Sequence, residues 1–414
     1  MNDFRINLND TETAFAGKTN AELERKYWLF RMMNSPLLTD IGTKSAAFGL
    51  SLGLPIKFFV KETVFRQFCG GETIQECERV IQELARSNIG TILDYSIEGK
   101  KEEAVFEHTK AEILRTVKRA AGDPKLPFSV FKITGIIRFD LLERIGAGRE
   151  LAETERVEWN RARSRVQEIC QSAASLDQPI FIDAEESWIQ DPIDDLVREM
   201  MQLFNREKPI VFNTLQMYRH DRLEFLKKSH ADARAGNYHL AVKFVRGAYM
   251  EKERERAAEM NYPSPIQPDK ASTDRDYDAA IKYCVENVEE ITFVNATHND
   301  ESVQLLVRLM KEKNLPNDDH RIHFSQLYGM SDNLSYVLAK EGYNVSKYVP
   351  YGPVKDALPY LIRRAKENTA VAGQMSRELE MIAQEIKRRK FAKQQPALAR
   401  NQENENVLPE MRKR

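Results

Sequence analysis

The chain has 414 residues, 62 Lys and Arg against 63 Asp and Glu, a net charge of −1 and 42% hydrophobic residues. That is a globular composition; it excludes a disordered chain, a collagen and a secreted disulfide scaffold, and near-neutrality gives no whole-chain footprint for nucleic acid. Cys69, Cys77, Cys170 and Cys284 form no CxxC pair, so they read as free thiols in a reducing compartment, with no metal site.

The polar start, MNDFRINLNDTETAF, reads as neither a secretory signal nor a transit peptide, and residues 1–19 read as disordered. Segment 20–85 has helical spacing at Leu23, Tyr27, Leu29 and Phe30, and again at Ile74, Val80, Ile81 and Leu84. It carries no catalytic cluster and reads as a helical wrap, 1–85, around the main domain. The most apolar run, Ser45–Val60, is interrupted by Pro55 and Lys57 and is too short to span a bilayer. A soluble, cytoplasmic protein is the expectation.

From residue 89 the texture changes. Eight short β-branched and aromatic runs appear: Ile89–Tyr95, Phe128–Thr134, Ile180–Asp183, Ile210–Thr214, Leu240–Val245, Ile291–Asn295, Ile322–Leu327 and Val345–Val349. Each ends in polar residues and leads into a helical stretch. Near-continuous apolar strands alternating with helices mean a parallel sheet covered by helices. Eight units predict an α/β fold, a (β/α)8 barrel over 86–385. A doubly wound sheet is the alternative, weakened because no GxGxxG follows any strand. The long connections Thr134–Ile180 and Val245–Ile291 read as helical insertions. The tail, 386–414, has nine basic and three acidic residues and reads as disordered and solubilising, with contact to an anionic membrane surface as a second reading.

In such a barrel the site lies at the carboxyl ends of the strands. Strand one delivers Asp94 and Glu98, and strand two Lys132 and Thr134. Strand three delivers Asp183, Glu185 and Glu186, and strand four Gln216. Strand five delivers Lys243, Arg246 and Tyr249, strand six Thr297, His298 and Asn299, strand seven Gln326 and strand eight Tyr348. Each alone is ordinary: a rim ion pair, a capping histidine, a core tyrosine. Their convergence on one face is not. Inward Lys132 and Lys243 are costly unless paired or engaged by a ligand. After strand eight, Tyr360, Arg363, Arg364 and Glu367 fall at i, i+3, i+4 and i+7, on one helical face, with Leu358, Leu361, Ile362 and Ala365 roughly opposite. Such a face is commonly just solvated, yet paired arginines can grip a carboxylate in bidentate fashion, and their position predicts a place near the barrel mouth.

The motifs YLIRRAKEN (Tyr360–Asn368), VKFVRGAY (Val242–Tyr249), ATHN (Ala296–Asn299), DAEE (Asp183–Glu186), QLYGM (Gln326–Met330) and LDYSIEG (Leu93–Gly99) together resemble the proline dehydrogenase family. The resemblance implies a flavin-dependent barrel with FAD as cofactor and L-proline as substrate. It implies hydride transfer from proline C5 to flavin N5, Δ1-pyrroline-5-carboxylate as product and a membrane quinone as electron acceptor. It assigns Arg363, Arg364 and Lys132 to the substrate carboxylate, with Tyr360 on the same face. Tyr348 and Leu327 pack on the proline ring, Asp183 orients Arg363, and Glu98 forms an ion pair at the mouth. Lys243 and Gln216 bond the isoalloxazine, while Thr297, His298 and Glu367 hold the pyrophosphate and ribose–adenine part. Val245, Arg246, Gly247, Ala248, Tyr249, Asn299 and Gln326 complete the cofactor site.

The sequence departs from the bifunctional bacterial members, which carry Arg where this chain has Lys243 and Trp where it has Met250. It resembles the monofunctional, eukaryote-like type, which leaves the next step to a separate aldehyde dehydrogenase. Tyr348 is expected to favour proline over hydroxyproline. The alternatives are a hydroxyproline dehydrogenase and an aldolase-type barrel in which Lys132 or Lys243 forms a Schiff base. The expected setting is the cytoplasm, with peripheral contact at the inner membrane.

Overall fold

The computed structural model describes residues 4–33, 60–95, 101–370 and 377–392, with the backbone alone over 365–370. The apolar runs become eight strands: β1 (Gly90–Tyr95), β2 (Phe128–Lys132), β3 (Ile180–Asp183), β4 (Val211–Gln216), β5 (Leu240–Val245), β6 (Ile291–Ala296), β7 (Ile322–Leu327) and β8 (Val345–Tyr351). Each pairs in parallel with the next, and β8 closes on β1. Closure rules out the doubly wound alternative and makes the fold a (β/α)8 barrel.

Side-chain alternation explains why both faces of the strands are apolar. Ile92, Phe128, Val130, Phe181, Phe212, Ala241, Val294 and Tyr348 fill the barrel interior. Phe128 stacks on Phe181 at 4.5 Å, and Phe212 meets both edge-on. Outward residues such as Leu93, Ile182, Val211, Val242 and Phe244 join the helices in one continuous shell. The two long connections hold two helices each, Phe139–Gly146 and Glu153–Ser175 in one and Met250–Met260 and Lys270–Glu286 in the other.

The chain divides into two units: Met1–Leu8 with Phe68–Leu358, and Asn9–Gln67 with Pro359–Arg414. These boundaries differ from those expected at 85 and 385. The helix Ile74–Ala85 goes with the barrel because its approach segment is stitched to β8. Gly70 N donates to Pro350 O at 2.9 Å, and Gly71 bridges to Tyr351.

Residues 4–19 are also ordered, contrary to expectation. Ile6 and Leu8 are buried, and Ile6 exchanges hydrogen bonds with the Gln304 side chain at 3.2 and 2.7 Å. In the second unit, helices Thr11–Phe15, Asn20–Met33 and 377–392 share a core of Ala14, Phe15, Leu23, Met381 and Ile382. The buried pair Lys26–Glu378 spans 3.0 Å within that unit. The tail therefore stays helical to 392, past the expected break, because buried Glu385 accepts from both Arg388 and Arg389 at 2.7–2.9 Å. Residues 393–414 lie outside the described residues, as does all of the Ser45–Val60 run except Val60. The four cysteines are free and buried. No helix among the described residues is long and apolar enough to cross a membrane.

Candidate active site

Above the aromatic layer, alternation along β2, β3, β5 and β8 turns Lys132, Asp183, Lys243 and Tyr348 inward. Lys243 is 4% exposed and Asp183 8%. The Lys243 ammonium donates to Asp183 Oδ1. The Tyr348 hydroxyl donates to Oδ2 at 2.7 Å, and Thr214 Oγ1 reaches Oδ1 at 3.4 Å. Lys132 Nζ stands 3.8 Å from Asp94 Oδ2. Lys243 Nζ also lies over the rings of Phe181 (4.7 Å) and Tyr348 (5.3 Å), an arrangement that favours a cation.

Burial alone would raise the Asp183 carboxyl. The charges of Lys243 and Lys132, with the hydrogen bonds from Lys243 and Tyr348, outweigh it and hold the group below the usual carboxylate range. Burial, together with the Asp183 and Asp94 carboxylates, pushes the Tyr348 phenol well above its ordinary value, so it stays a neutral donor. Among the described residues two lysines face two aspartates in this layer; an unpaired buried charge would cost several kcal/mol. Both Asp183 oxygens are occupied inside the barrel unit. Its expected partner, Arg363, belongs to the second unit.

The loops leaving the strands are tied to one another. Gln216 donates to Glu185 O at 2.7 Å and accepts from Ala248 N at 3.2 Å, linking the β3, β4 and β5 ends. Glu185 accepts from Thr134 N at 2.9 Å, and its own N–H donates to Gln190 at 2.8 Å. Val245 O and Arg246 O receive Met217 N and Tyr218 N at 2.8 and 2.7 Å. Arg246 donates to Asp274 (2.8 Å), Thr297 and Ser302 (3.0 Å), and its guanidinium lies 4.3 Å from the Tyr277 ring centre. Gly247 has φ +135°, and a Cβ there would lie 2.5 Å from the Tyr218 ring. Tyr249 opens the helix Met250–Met260. His298 Nδ1 bonds Ser331 Oγ at 2.9 Å, and Asn299 caps the helix Asp300–Glu312 through Ser302 N at 3.1 Å. Leu327 packs against the interior cluster.

One expected residue points elsewhere. Gln326 shares the outward face of β7 with Phe324, while Leu327 faces in. Gln326 donates to Thr297 O at 3.2 Å and accepts from Ser335 Oγ at 2.8 Å. It braces the end of β6 rather than lining the mouth, so β7 delivers an apolar residue there. Glu98 and the Glu367 side chain lie outside the described residues. Tyr360, Arg363 and Arg364 stand in the helix Val354–Ala370, past the boundary into the second unit. Tyr360 is buried, the arginines are half-buried, and Arg364 lies 5.4 Å from the Tyr360 ring centre.

Sequence reasoning passed over Thr214, which shares Asp183, and the Asp274, Ser302 and Tyr277 set that fixes Arg246. It also passed over Lys347, a fully buried lysine beside Tyr348. Among the described residues no cluster of His, Cys, Asp and Glu is suited to a metal ion.

A closed parallel barrel with ionisable side chains gathered at the carboxyl ends of its strands is the architecture of a (β/α)8 enzyme. The proline dehydrogenase family model matches residues 77–377, and the chain belongs to that family. Proline dehydrogenase 1, mitochondrial, of Dictyostelium discoideum is 32% identical over 94% of this chain and 76% of its own. Hydroxyproline dehydrogenase of Xenopus laevis is 30% identical over 91% and 89%. The carbapenem antibiotics biosynthesis protein CarD of Pectobacterium carotovorum subsp. carotovorum is 34% identical over 78% and 83%. Among solved structures, proline utilization A from Bdellovibrio bacteriovorus, inactivated by N-propargylglycine, shares the fold with a TM-score of 0.70 at 20% identity. That match covers 89% of this chain and 39% of the other.

Proposed function

We propose that this chain is an FAD-dependent proline dehydrogenase that oxidises L-proline to Δ1-pyrroline-5-carboxylate. The observation that carries the reading is the layer of buried Asp183, Lys243 and Tyr348 with half-buried Lys132 at the mouth of a barrel of this family. Bound FAD would supply the hydride acceptor. The donor set suits an anionic dinucleotide. Lys243 sits at the end of β5, the turn after it leaves no room for a Cβ at Gly247, and Arg246, Thr297 and His298 stand at the ends of β5 and β6.

In this reading Lys243 and Gln216 hold the isoalloxazine. Thr297, His298 and Glu367 hold the pyrophosphate and ribose–adenine part, with 245–249, Asn299 and the bracing Gln326 around them. Lys132 meets the substrate carboxylate, a permanent anion, and Arg363 and Arg364 each add a guanidinium to that task. Holding that end orients C5, which is a positioning gain. Tyr348 and Leu327 pack on the ring. Only the neutral amine of proline can lose hydride from C5, so activity rises with pH as the amine deprotonates. A quinone acceptor, peripheral contact with an inner-membrane surface from the cytoplasmic side, and a separate aldehyde dehydrogenase for the next step belong to the same proposal.

Hydroxyproline is the second reading, supported by the hydroxyproline dehydrogenase relative. Against it, Tyr348 is held by Asp183 and would crowd the carbon that bears the hydroxyl. The test is the visible spectrum before and after anaerobic L-proline. A flavin band that bleaches supports the proposal. A band that bleaches only with hydroxyproline moves the substrate. No band with added FAD defeats the reading, and borohydride trapping at Lys132 or Lys243 would then point to Schiff-base chemistry. Arg364→Met is expected to raise KM for proline roughly 10- to 100-fold with flavin retained, as for the loss of a charge-assisted bidentate contact.

A further inference from the structure

Lys347 has no place in the reaction above, yet it is 0% exposed. It lies on the outward face of β8, where its neighbours Val345 and Val349 are aliphatic parts of the outer core. A lysine there is costly unless its ammonium is well partnered. Two of its partners belong to one turn. Nζ donates to Met330 O and stands 3.1 Å from Asp332 Oδ1, at the first residue of the helix Asp332–Lys340. The same turn hangs from β8 a second time, through Tyr328 N to Tyr348 O at 2.9 Å. Inside it Gly329 has φ +81° and Ser331 φ +49°. A left-handed serine is sparsely populated and persists only where its surroundings fix it. That conformation brings Ser331 Oγ to 2.9 Å from His298 Nδ1, and a hydrogen bond at one ring nitrogen sets the tautomer and the aim of the other.

We propose that Lys347 is a positioning residue for the dinucleotide cofactor: it locks the turn 328–332 so that Ser331 orients His298 toward the cofactor's phosphate and ribose–adenine part. Gln326 braces the same strand end from β7 by holding Thr297 O at 3.2 Å. The two outward polar residues thus fix the ATHN segment from behind, through backbone and hydroxyl contacts. The inference rests on the reading of His298 as a cofactor contact.

The test is FAD titration of the full-length protein, stripped of flavin and followed by flavin fluorescence well below each variant's Tm. Lys347→Met combined with Asp332→Asn removes the anchor without leaving a buried charge. It is expected to weaken FAD binding about tenfold, the equivalent of one well-placed hydrogen bond. Ser331→Ala is expected to weaken it several-fold, and to add nothing in a His298→Ala background. A lowered Tm with unchanged FAD affinity would make Lys347 merely structural and overturn the proposal. If the double variant does not fold, Ser331→Ala decides alone: unchanged affinity, or an equal loss in the His298→Ala background, overturns it. A wild type that binds no FAD would instead bring down the functional reading itself, an outcome distinct from wild type and variants binding equally.

Discussion

His323 shows how far a single environment moves a group that has no part in the chemistry. It enters the barrel from the amino-terminal half of β7, bonds Ser346 Oγ at 2.5 Å and meets Phe128 edge-on at 5.0 Å. Burial pushes its pKa down to about 3, whereas an unfolded histidine titrates near 6.5. Between those values the unfolded chain binds a proton that the native chain refuses. The stability is complete above about pH 6.5 and falls by ~1.4 kcal/mol per unit as pH drops toward about 3. Asp183, depressed by Lys243 and Lys132 against its burial, acts in a lower window: its contribution is present above the unfolded carboxylate value and is lost below it. The buried Asp194 and Glu253 carboxyls, raised by desolvation, work in the opposite sense. The difference between wild type and His323→Gln isolates the histidine. Thermal melts from pH 7 to 5 are expected to fall more steeply for wild type, and parallel slopes would contradict the assignment.

At the scale of elements, the turn after β5 is built on one glycine. Gly247 holds φ +135° and has no room for a Cβ beside the Tyr218 ring. Gly247→Ala faces strain and overlap together, with strain alone costing about 1–3 kcal/mol. The turn must move, taking Arg246 and the Ala248 N–H that bonds Gln216. On the proposed reading of the cofactor site, FAD affinity is expected to fall sharply for Gly247→Ala. Gly148→Ala, also at positive φ but with nothing within 4 Å of a Cβ, is expected to change stability alone; FAD titration and Tm of both separate the cases. The strands themselves were legible because β-branched runs repeat eight times between helical stretches. Their phase was less so. In IHFSQL apolar residues fall on both faces, Ile322 and Phe324 on one and Leu327 on the other, and nothing local says that Leu327 turns in and Gln326 out. Lys347 was passed over for a similar reason: a lysine between Ser346 and Tyr348 reads as surface until Met330 O and Asp332 are seen to meet it.

At the scale of the whole molecule, the barrel unit takes its first eight residues from one end of the sequence and the rest from Phe68 onward. Composition hid this, since Asn, Asp and Thr surround the anchors Ile6 and Leu8 and made the segment read as disordered. The strap joins the helices that follow β6 and β7: Gln304 pairs with Ile6, and Asn333 donates to Leu8 O at 3.0 Å. Burying Ile6 and Leu8 contributes roughly 1.5–3 kcal/mol each, and the three hydrogen bonds about 1 kcal/mol apiece. Ordering the backbone of residues 4–8 costs about 1–2 kcal/mol per residue, which nearly offsets that gain. Removal of residues 1–8 is therefore expected to leave the global Tm within a few degrees of wild type. The contribution is local, because the strap crosses two helices whose amino ends carry Asn299 and Ser331. Amide exchange is expected to quicken in Asp300–Glu312 and Asp332–Lys340 while the strands stay protected. Unchanged exchange in both helices would show the strap to be a passenger, and a large fall in Tm would place it in the barrel's cooperative core.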